Sequence, residues 1–134
     1  MSKRETRDER RSSGRIEANL AVELSAQTSA GALQMLTESI NISTGGVYCS
    51  VKSEVPLLTK VILNIQLPKF GAHKSTQVVR CDGIVVRCEP ASKRSSVLHG
   101  ARYDLACAFQ SLDDETQGLI NEFILWKILR PTGL

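Results

Sequence analysis

The sequence predicts a mainly β protein, a six-stranded antiparallel β-barrel followed by one C-terminal α-helix. Three observations predict this fold class. Six short stretches alternate apolar and polar residues with the period of two that a half-buried strand requires. Polar segments separate these stretches, and closing such a small sheet into a barrel would hide its edges. The last apolar stretch instead repeats at helical spacing.

The six strands follow from the alternation of apolar residues along the chain. The first, which begins at Ile16, has the clearest alternation. The fifth contains Gly83, which interrupts the pattern and indicates a bulge or the sharp bend of a barrel corner. The predicted strands cover residues 16–24, 33–42, 46–51, 61–67, 77–88 and 103–109.

One C-terminal helix is predicted to cap the barrel. Its start is marked by the capping side chains of Ser111, Asp113 and Asp114, and its end by Arg130 and Pro131. The main apolar stripe comprises Leu119, Ile120, Phe123, Ile124 and Ile128. A second set comprises Leu125, Trp126 and Leu129. Either Trp126 plugs the barrel mouth, or this second face binds a partner; a homodimer through this helix is one such prediction.

The chain of 134 residues is the usual size for one domain, and its charge is unevenly distributed. Residues 1–15 carry six of the cationic side chains and three acidic ones, whereas the rest of the chain is balanced. We therefore predict a flexible basic arm (1–15) and a barrel with its helix (16–134). Such an arm attracts phosphates of nucleic acid, of an anionic membrane surface or of a small ligand. The alternative is a solvated, disordered tail.

Other functional classes find little support in the sequence. The four cysteines lack C-x-x-C spacing, so no metal or cofactor is predicted, and Cys49 and Cys107 are in phase with apolar neighbours, as small buried residues would be. His73 and His99 lie in predicted loops without an evident nucleophile, so no enzyme is expected. No apolar segment indicates a signal peptide or a membrane span, which favours a cytoplasmic location with free thiols.

The stretch from Asn41 to Tyr48 places small polar residues and glycines between two predicted strands. If Ile40 and Ile42 face one side, parity directs Asn41 to the other, together with Thr37, Ser39 and Ser43. Thr44 and Gly45 would then form the turn, and Gly46 would leave the backbone bare where a flat ligand could approach. The local alternative is a hairpin in which Asn41 and Ser43 satisfy backbone groups.

Two arginines precede this stretch and complement it. Arg11 and Arg15 would be separated by ~6 Å in a helix and by ~13 Å in an extended chain, and either geometry directs both guanidinium groups the same way. A guanidinium suits phosphate oxygens and the O6/N7 edge of guanine, and an Asn or Ser oxygen can accept from a guanine N–H. Together these residues indicate a ligand that carries guanine and phosphate.

These two motifs resemble those of PilZ domains, the bacterial receptors for cyclic di-GMP. Arg11-Ser-Ser-Gly-Arg15 matches R-x-x-x-R, and Asn41-Ile-Ser43-Thr-Gly-Gly46 matches [D/N]-x-S-x-x-G. Their order, the strand-rich stretch that ends in YDLACAF, and the final helix extend the resemblance over nearly the whole chain. It implies a six-stranded barrel with a C-terminal helix, and a ligand that lies across the barrel surface and is gripped by the arm.

The resemblance also implies roles for single residues. Arg11 and Arg15 would bind the guanine edge and the phosphates, Asn41 and Ser43 would read a guanine, and Gly46, with Gly45 beside it, would permit close approach. Asn41 stands where many members have Asp, so affinity is expected to be modestly lower. Arg10 precedes the first motif arginine, where the family suggests an influence on stoichiometry, and a further cation there favours an intercalated pair of ligands.

The expected mechanism is that the arm orders over cyclic di-GMP and thereby signals to a downstream protein. Two rivals remain. A single-stranded nucleic-acid-binding barrel also combines a barrel with a basic arm, but aromatic residues are 4% of the chain and no stacking platform is evident, so no nucleic acid is expected. The second rival is a PilZ-fold adaptor that acts through protein contacts without binding cyclic di-GMP.

Overall fold

Within the described part of the chain, seven strands and one helix follow one another, and six of the strands close into an antiparallel barrel. The computed structural model describes residues 15–91 and 103–130. The elements are β1 (Arg15–Glu17), β2 (Ala21–Thr28), β3 (Gly31–Ser43), β4 (Gly46–Val51), β5 (Lys60–Leu67), β6 (Gln77–Pro90), β7 (Tyr103–Gln110) and α1 (Asp114–Leu129). The predicted fold class is confirmed. The predicted arm residues Arg10 and Arg11 lie outside the described residues.

The barrel closes because β3 pairs with two different strands of the ring. The neighbours run β3-β2-β5-β6-β7-β4, and β4 pairs with β3 to complete the circle. The short strand β1 is additional: it pairs with residues 41–43 of β3, and β2 pairs with residues 31–38 further along the same edge. The opposite edge of β3 is used by β4, through residues 38–42. As a result β1 lies beside the polar motif.

The apolar side chains predicted to face inward form the core. Leu24, Leu63, Ile65 and Leu105 are fully buried within it. Cys49 and Cys107 are buried too, as their phase predicted. Burial raises the pKa of the Cys107 thiol to about 12, so this thiol stays protonated at neutral pH and behaves as a small apolar group.

The prediction of a single first strand over residues 16–24 is wrong, because this segment is divided between β1 and β2. The chain leaves the regular ladder between β1 and β2, where three residues on this strand face two on β3. The buried hydroxyl of Ser39 bridges the irregularity: it accepts from the Leu20 N–H at 2.9 Å and donates to the Ala18 carbonyl. Periodicity missed the break because Ala18 and Leu20 remain buried through it.

The predicted outward direction of Thr37 and Ser39 is also wrong. The register of β3 against β4 shifts between Ser39 and Asn41, so Ile40 is the extra residue of a β-bulge. On the N-terminal side of the bulge, the faces to which alternate side chains point are the reverse of those predicted. Ser39 is buried, and the half-buried Thr37 donates to the Ser50 carbonyl. On the C-terminal side of the bulge, Ile42 is buried, which directs Asn41 and Ser43 to the exterior as predicted.

The irregularity in β6 lies three residues beyond the predicted one. Gly83 is in register with Val61 on β5 and Phe109 on β7, and the register shifts only at Val86. Gly83 serves packing, because a Cβ there would lie 3.1 Å from the Ala108 carbonyl oxygen and 3.3 Å from a Leu63 methyl.

The helix α1 covers the core as predicted. Asp113 caps its start by accepting from the Thr116 N–H at 2.7 Å, and its residues Ile120, Phe123 and Ile124 are buried. Trp126 joins an aromatic cluster, with its ring centroid 6.0 Å from that of Phe70. The prediction for Ile128 is wrong: together with Leu125 and Leu129 it is exposed. No helix in the described ranges is long and apolar enough to cross a membrane.

Candidate functional site

A depression of about 480 Å³ lies on the barrel exterior, where β1, β3 and β4 meet β6 and β7. It brings together all the predicted site residues that the structure describes: Arg15, Asn41, Ser43, Gly45 and Gly46. The remaining lining residues are Val47, Tyr48, Val86, Arg87, Ala106, Cys107 and Ala108. The predicted ligand residues Arg10 and Arg11 lie beyond the described part of the chain.

The register of the strands explains why these side chains converge. One row across five strands contains Glu17, Asn41, Tyr48, Ala106 and Arg87, each opposite the next. Residues directly opposite on neighbouring strands have Cβ atoms only about 4.5 to 5.5 Å apart. The small side chain of Ala106 separates Tyr48 from Arg87 and leaves the floor of the depression low.

The next outward-facing row pairs Arg15 on β1 with Ser43 on β3. Within the described ranges, the side chains of Arg15 and Asn41 make no hydrogen bond, so both are available to a ligand. Ser43 differs: its hydroxyl oxygen accepts from the Gly45 N–H at 3.0 Å and so orders the turn. Its O–H remains able to donate. The alternative of a hairpin in which Asn41 and Ser43 only satisfy backbone groups therefore holds in part for Ser43 and does not hold for Asn41.

The two glycines of the turn have different surroundings. A Cβ on Gly46 would clash with the carbonyl oxygen of Cys107 and lie 3.3 Å from the Ala108 Cα, both on β7. The absence of a side chain at Gly46 therefore allows β4 to pack closely against β7. A Cβ on Gly45 would meet only the Ser43 hydroxyl, at 3.7 Å. Close approach of a ligand to either glycine stays a prediction.

Sequence reasoning missed two functional candidates, Tyr48 and Arg87. The Arg87 guanidinium carbon lies 5.8 Å from the centroid of the Tyr48 ring, within the range of a cation–π contact. Burial, and then the nearby carboxylate of Asp104, raise the pKa of Tyr48, so its phenol stays neutral at physiological pH. The outward parity of Tyr48 was available from its strand, whereas placing Arg87 requires the bulge at Val86.

The charge of the site favours an anion. Two guanidinium groups, from Arg15 and Arg87, line the depression, and the described lining contains no carboxylate. Each guanidinium offers five N–H donors and a flat face. Elsewhere in the described ranges, no group of three or more metal-ligating side chains is found. This arrangement can bind an anionic, planar, hydrogen-bonding ligand.

Comparison with solved structures supports the fold. Bacillus subtilis MotI/DgrA, described as an inhibitor of motility, is similar with a TM-score of 0.70 and 18% identity over 88% of this chain, which spans about half (51%) of that protein. The structure of the K. pneumonia MrkH–c-di-GMP complex has a TM-score of 0.60 and 17% identity, covering 86% of this chain and 51% of MrkH.

A third similar structure is the PilZ domain of Escherichia coli YcgR with c-di-GMP. It has a TM-score of 0.57 and 11% identity, covering 83% of this chain and 86% of that domain. At such identities the likeness shows a common fold. No curated protein sequence matches the chain. The model of the PilZ domain, however, matches residues 9–126, which is most of the chain. This chain belongs to the PilZ domain family.

Proposed function

We propose that this protein is a receptor that binds cyclic di-GMP in the depression beside β1 and β3. One observation carries the proposal: Arg15 and Asn41, whose side chains make no hydrogen bond within the described ranges, lie in the same anion-favouring depression on successive outward-facing rows of the sheet. Family membership supports it, as do the cyclic di-GMP complexes of MrkH and YcgR among the similar structures. The proposed action is binding and signalling, without catalysis.

The proposed roles follow from the chemistry of the described side chains. Arg15 places its guanidinium on a phosphate or on the O6/N7 edge of a guanine. Asn41 can both accept from and donate to a guanine edge, and the free O–H of Ser43 donates to the same base. Arg87 offers a second cation and a flat face on the opposite wall, suited to a phosphate or a purine ring.

The arm is proposed to complete the site. Arg11 lies four residues before Arg15, within reach of the same ligand, and supplies a second fork for guanine or phosphate. Arg10 adds a third cation, which helps to offset the four negative charges of two cyclic dinucleotides. On this basis the proposed stoichiometry is an intercalated pair of ligands per protomer.

Isothermal titration calorimetry with cyclic di-GMP tests both affinity and stoichiometry. The Arg15→Ala variant is expected to bind about ten- to a hundredfold more weakly, because a hydrogen bond to a charged group contributes roughly 1.5 to 3 kcal/mol. Arg80→Ala is the matched control, since Arg80 is exposed on β6 but does not line the depression, and it should bind as the native protein does.

Three results would contradict parts of this proposal. Equal affinity of Arg15→Ala and the native protein would remove the site assignment. A stoichiometry of one ligand per protomer would remove the intercalated pair. Salt-dependent binding to single-stranded DNA that survives substitution of Asn41 and Ser43, without binding of cyclic di-GMP, would favour a nucleic-acid-binding barrel.

The signal is proposed to come from ordering of the arm over the ligand. Hydrogen exchange measured by mass spectrometry should then show slower exchange in residues 1–14 when cyclic di-GMP is added. An unchanged exchange rate there, with saturated ligand, would contradict this mechanism but not the binding itself.

The exposed apolar residues of α1, namely Leu125, Ile128 and Leu129, are the candidate surface for a downstream protein. A homodimer through this helix also stays a prediction. Both are tested by the Leu129→Lys variant, which should weaken either association.

A further inference from the structure

The N-terminal half of β3 has one edge that no described strand covers. On one side, residues 31–38 pair with β2. On the other side, β4 pairs only with residues 38–42, because β4 ends at Val51. Within the described ranges, the outer edge of residues 32–36 is therefore unpaired. We call it the open edge.

The backbone groups on the open edge can be identified from the ladder. Alternate residues of an antiparallel strand direct their N–H and C=O groups to opposite edges. The Ser39 N–H donates to the Leu20 carbonyl, on the β2 side. By alternation, the N–H and C=O groups of Ala32, Gln34 and Leu36 point to the open edge.

The open edge lacks the features that usually prevent strands from associating. Natural proteins protect edges with charged residues, proline or bulges. The segment from Gly31 to Thr37 contains no charged residue and no proline, and it is regularly paired with β2 throughout. The Leu36 side chain is 82% exposed beside it. Such an edge is suited to pairing with another strand.

The outer face of β3 next to the open edge is concave. A depression of about 650 Å³ crosses this face, and its lining includes Asn19 and Ala21 on the β2 side, Gln34, Leu36 and Glu38 of β3, and Ser50 and Lys52 where β4 and β3 part. It is distinct from the proposed ligand site, since the two depressions share no lining residue.

We infer that two copies of this protein pair their open edges as antiparallel strands about a two-fold axis at Gln34. Ala32 then faces the partner subunit's Leu36, and Gln34 faces the partner subunit's Gln34. This register forms six backbone hydrogen bonds, two for each facing pair. A shift of two residues either way loses one pair, because it would use Ala30 in the turn or Glu38, which already faces Ser50.

The side chains make a second copy the favoured occupant, because the edge is complementary to itself. On the outer face, the large Leu36 lies against the small Ala32 of the partner subunit, and the two Gln34 amides can exchange hydrogen bonds. On the other face, the half-buried Leu33 meets the partner subunit's Met35. No like charges face each other in this register, and the interface is isologous, as a two-fold dimer requires.

Sedimentation equilibrium of the full chain over a range of concentrations tests this dimer. The native protein should associate to a dimer, whereas Leu36→Lys should be monomeric at least tenfold above the native dissociation constant. Val78→Lys is the control, since Val78 is exposed on β6 away from the open edge and from α1, and it should dimerise as the native protein does. Loss of the dimer in Leu129→Lys, with retention in Leu36→Lys, would assign the interface to the helix and overturn the inference.

A disulfide test does not depend on a destabilising substitution. The two-fold axis places the Gln34 Cα atoms of the two subunits about 5.5 Å apart, which a disulfide can span. Gln34→Cys should form a covalent dimer under mild oxidation, and Gln27→Cys, exposed on β2, should not. Equal crosslinking of both variants, or a native protein that stays monomeric at every concentration, would overturn the inference. Neither result bears on ligand binding, which is measured separately by titration.

Discussion

The two halves of β3 belong to one strand but differ in the strands that pair with them, and only one half carries side chains of the proposed ligand site. Residues 41–43 are paired on both sides, by β1 and, up to Ile42, by β4, and they direct Asn41 and Ser43 outward. Residues 31–36 are paired on one side only, by β2. The bulge at Ile40 divides the halves, and below it Ser39 is buried as part of the scaffold. Pairing on both edges holds the outward-facing side chains of Asn41 and Ser43 at fixed positions.

The largest expected effect comes from crowding the strand junction beside the double-paired half. Gly46→Ala should lower the free energy of unfolding by about 3 kcal/mol, because its Cβ would clash with the Cys107 carbonyl. Urea unfolding followed by circular dichroism measures this. Gly45→Ala, whose Cβ would make only an ordinary contact with the Ser43 hydroxyl at 3.7 Å, is the control and should lie within about 0.5 kcal/mol of the native value. Equal stability of the two variants would contradict the packing role of Gly46.

A substitution of Ser39 tests whether the bulge at Ile40 separates a core-facing side chain from the outward-facing ones that follow it. Ser39→Ala should lower the free energy of unfolding by about 2 kcal/mol, because the Leu20 N–H and the Ala18 carbonyl both lose their buried partner. Ser43→Ala is the same change in the outward-facing half and should cost less stability while weakening cyclic di-GMP binding. The comparison fails if the two variants lose equal stability, as measured by urea unfolding.

Asn41 should affect binding and not folding. Its side chain has no hydrogen bond within the described residues, so Asn41→Ala should leave the unfolding midpoint unchanged and weaken cyclic di-GMP binding by about 1 kcal/mol, roughly fivefold. Asn41→Asp should bind more tightly than the native protein if the carboxylate accepts from a guanine N–H. Calorimetry with both variants measures this, and weaker binding by Asn41→Asp would contradict that role.

The smallest expected effect lies in the singly paired half. Leu36→Thr should change the unfolding free energy of the monomer by less than about 0.5 kcal/mol, because the native side chain is 82% exposed. Thermal unfolding at protein concentrations below the dimerisation range measures it. A loss of 2 kcal/mol or more would show that the open edge is covered within the single chain.

The sequence predicted the barrel well because the barrel is built on an alternation of two that the core enforces. Leu63 and Ile65 on β5 are buried as their phase requires. It failed at Thr37 and Ser39 because a bulge reverses parity without leaving a glycine or proline as a signal. The break between β1 and β2 was hidden for a similar reason, since Ala18 and Leu20 stay buried across it.

The sequence predicted some of the residues that line the depression and missed others. Asn41 and Ser43 could be named as candidates from the sequence, because their motif is contiguous and lies at the end of a strand. Arg87 could not be found, because it reaches the site through a row that crosses β7 and β4. That row depends on register, and register depends on the bulge at Val86. The packing role of Gly46 was equally hidden, since its neighbour Cys107 is about sixty residues away in sequence.

The three-residue strand β1 has a consequence for the strength of the proposed ligand capture by the arm. Because Arg15 is fixed opposite Ser43, the Cα of Arg11 cannot lie further than about 14 Å from that of Arg15. A cation tethered so closely acts at a millimolar or higher effective concentration near any nucleotide on the sheet. Lengthening the tether between Arg11 and Arg15 with glycines should therefore weaken capture without removing a single contact.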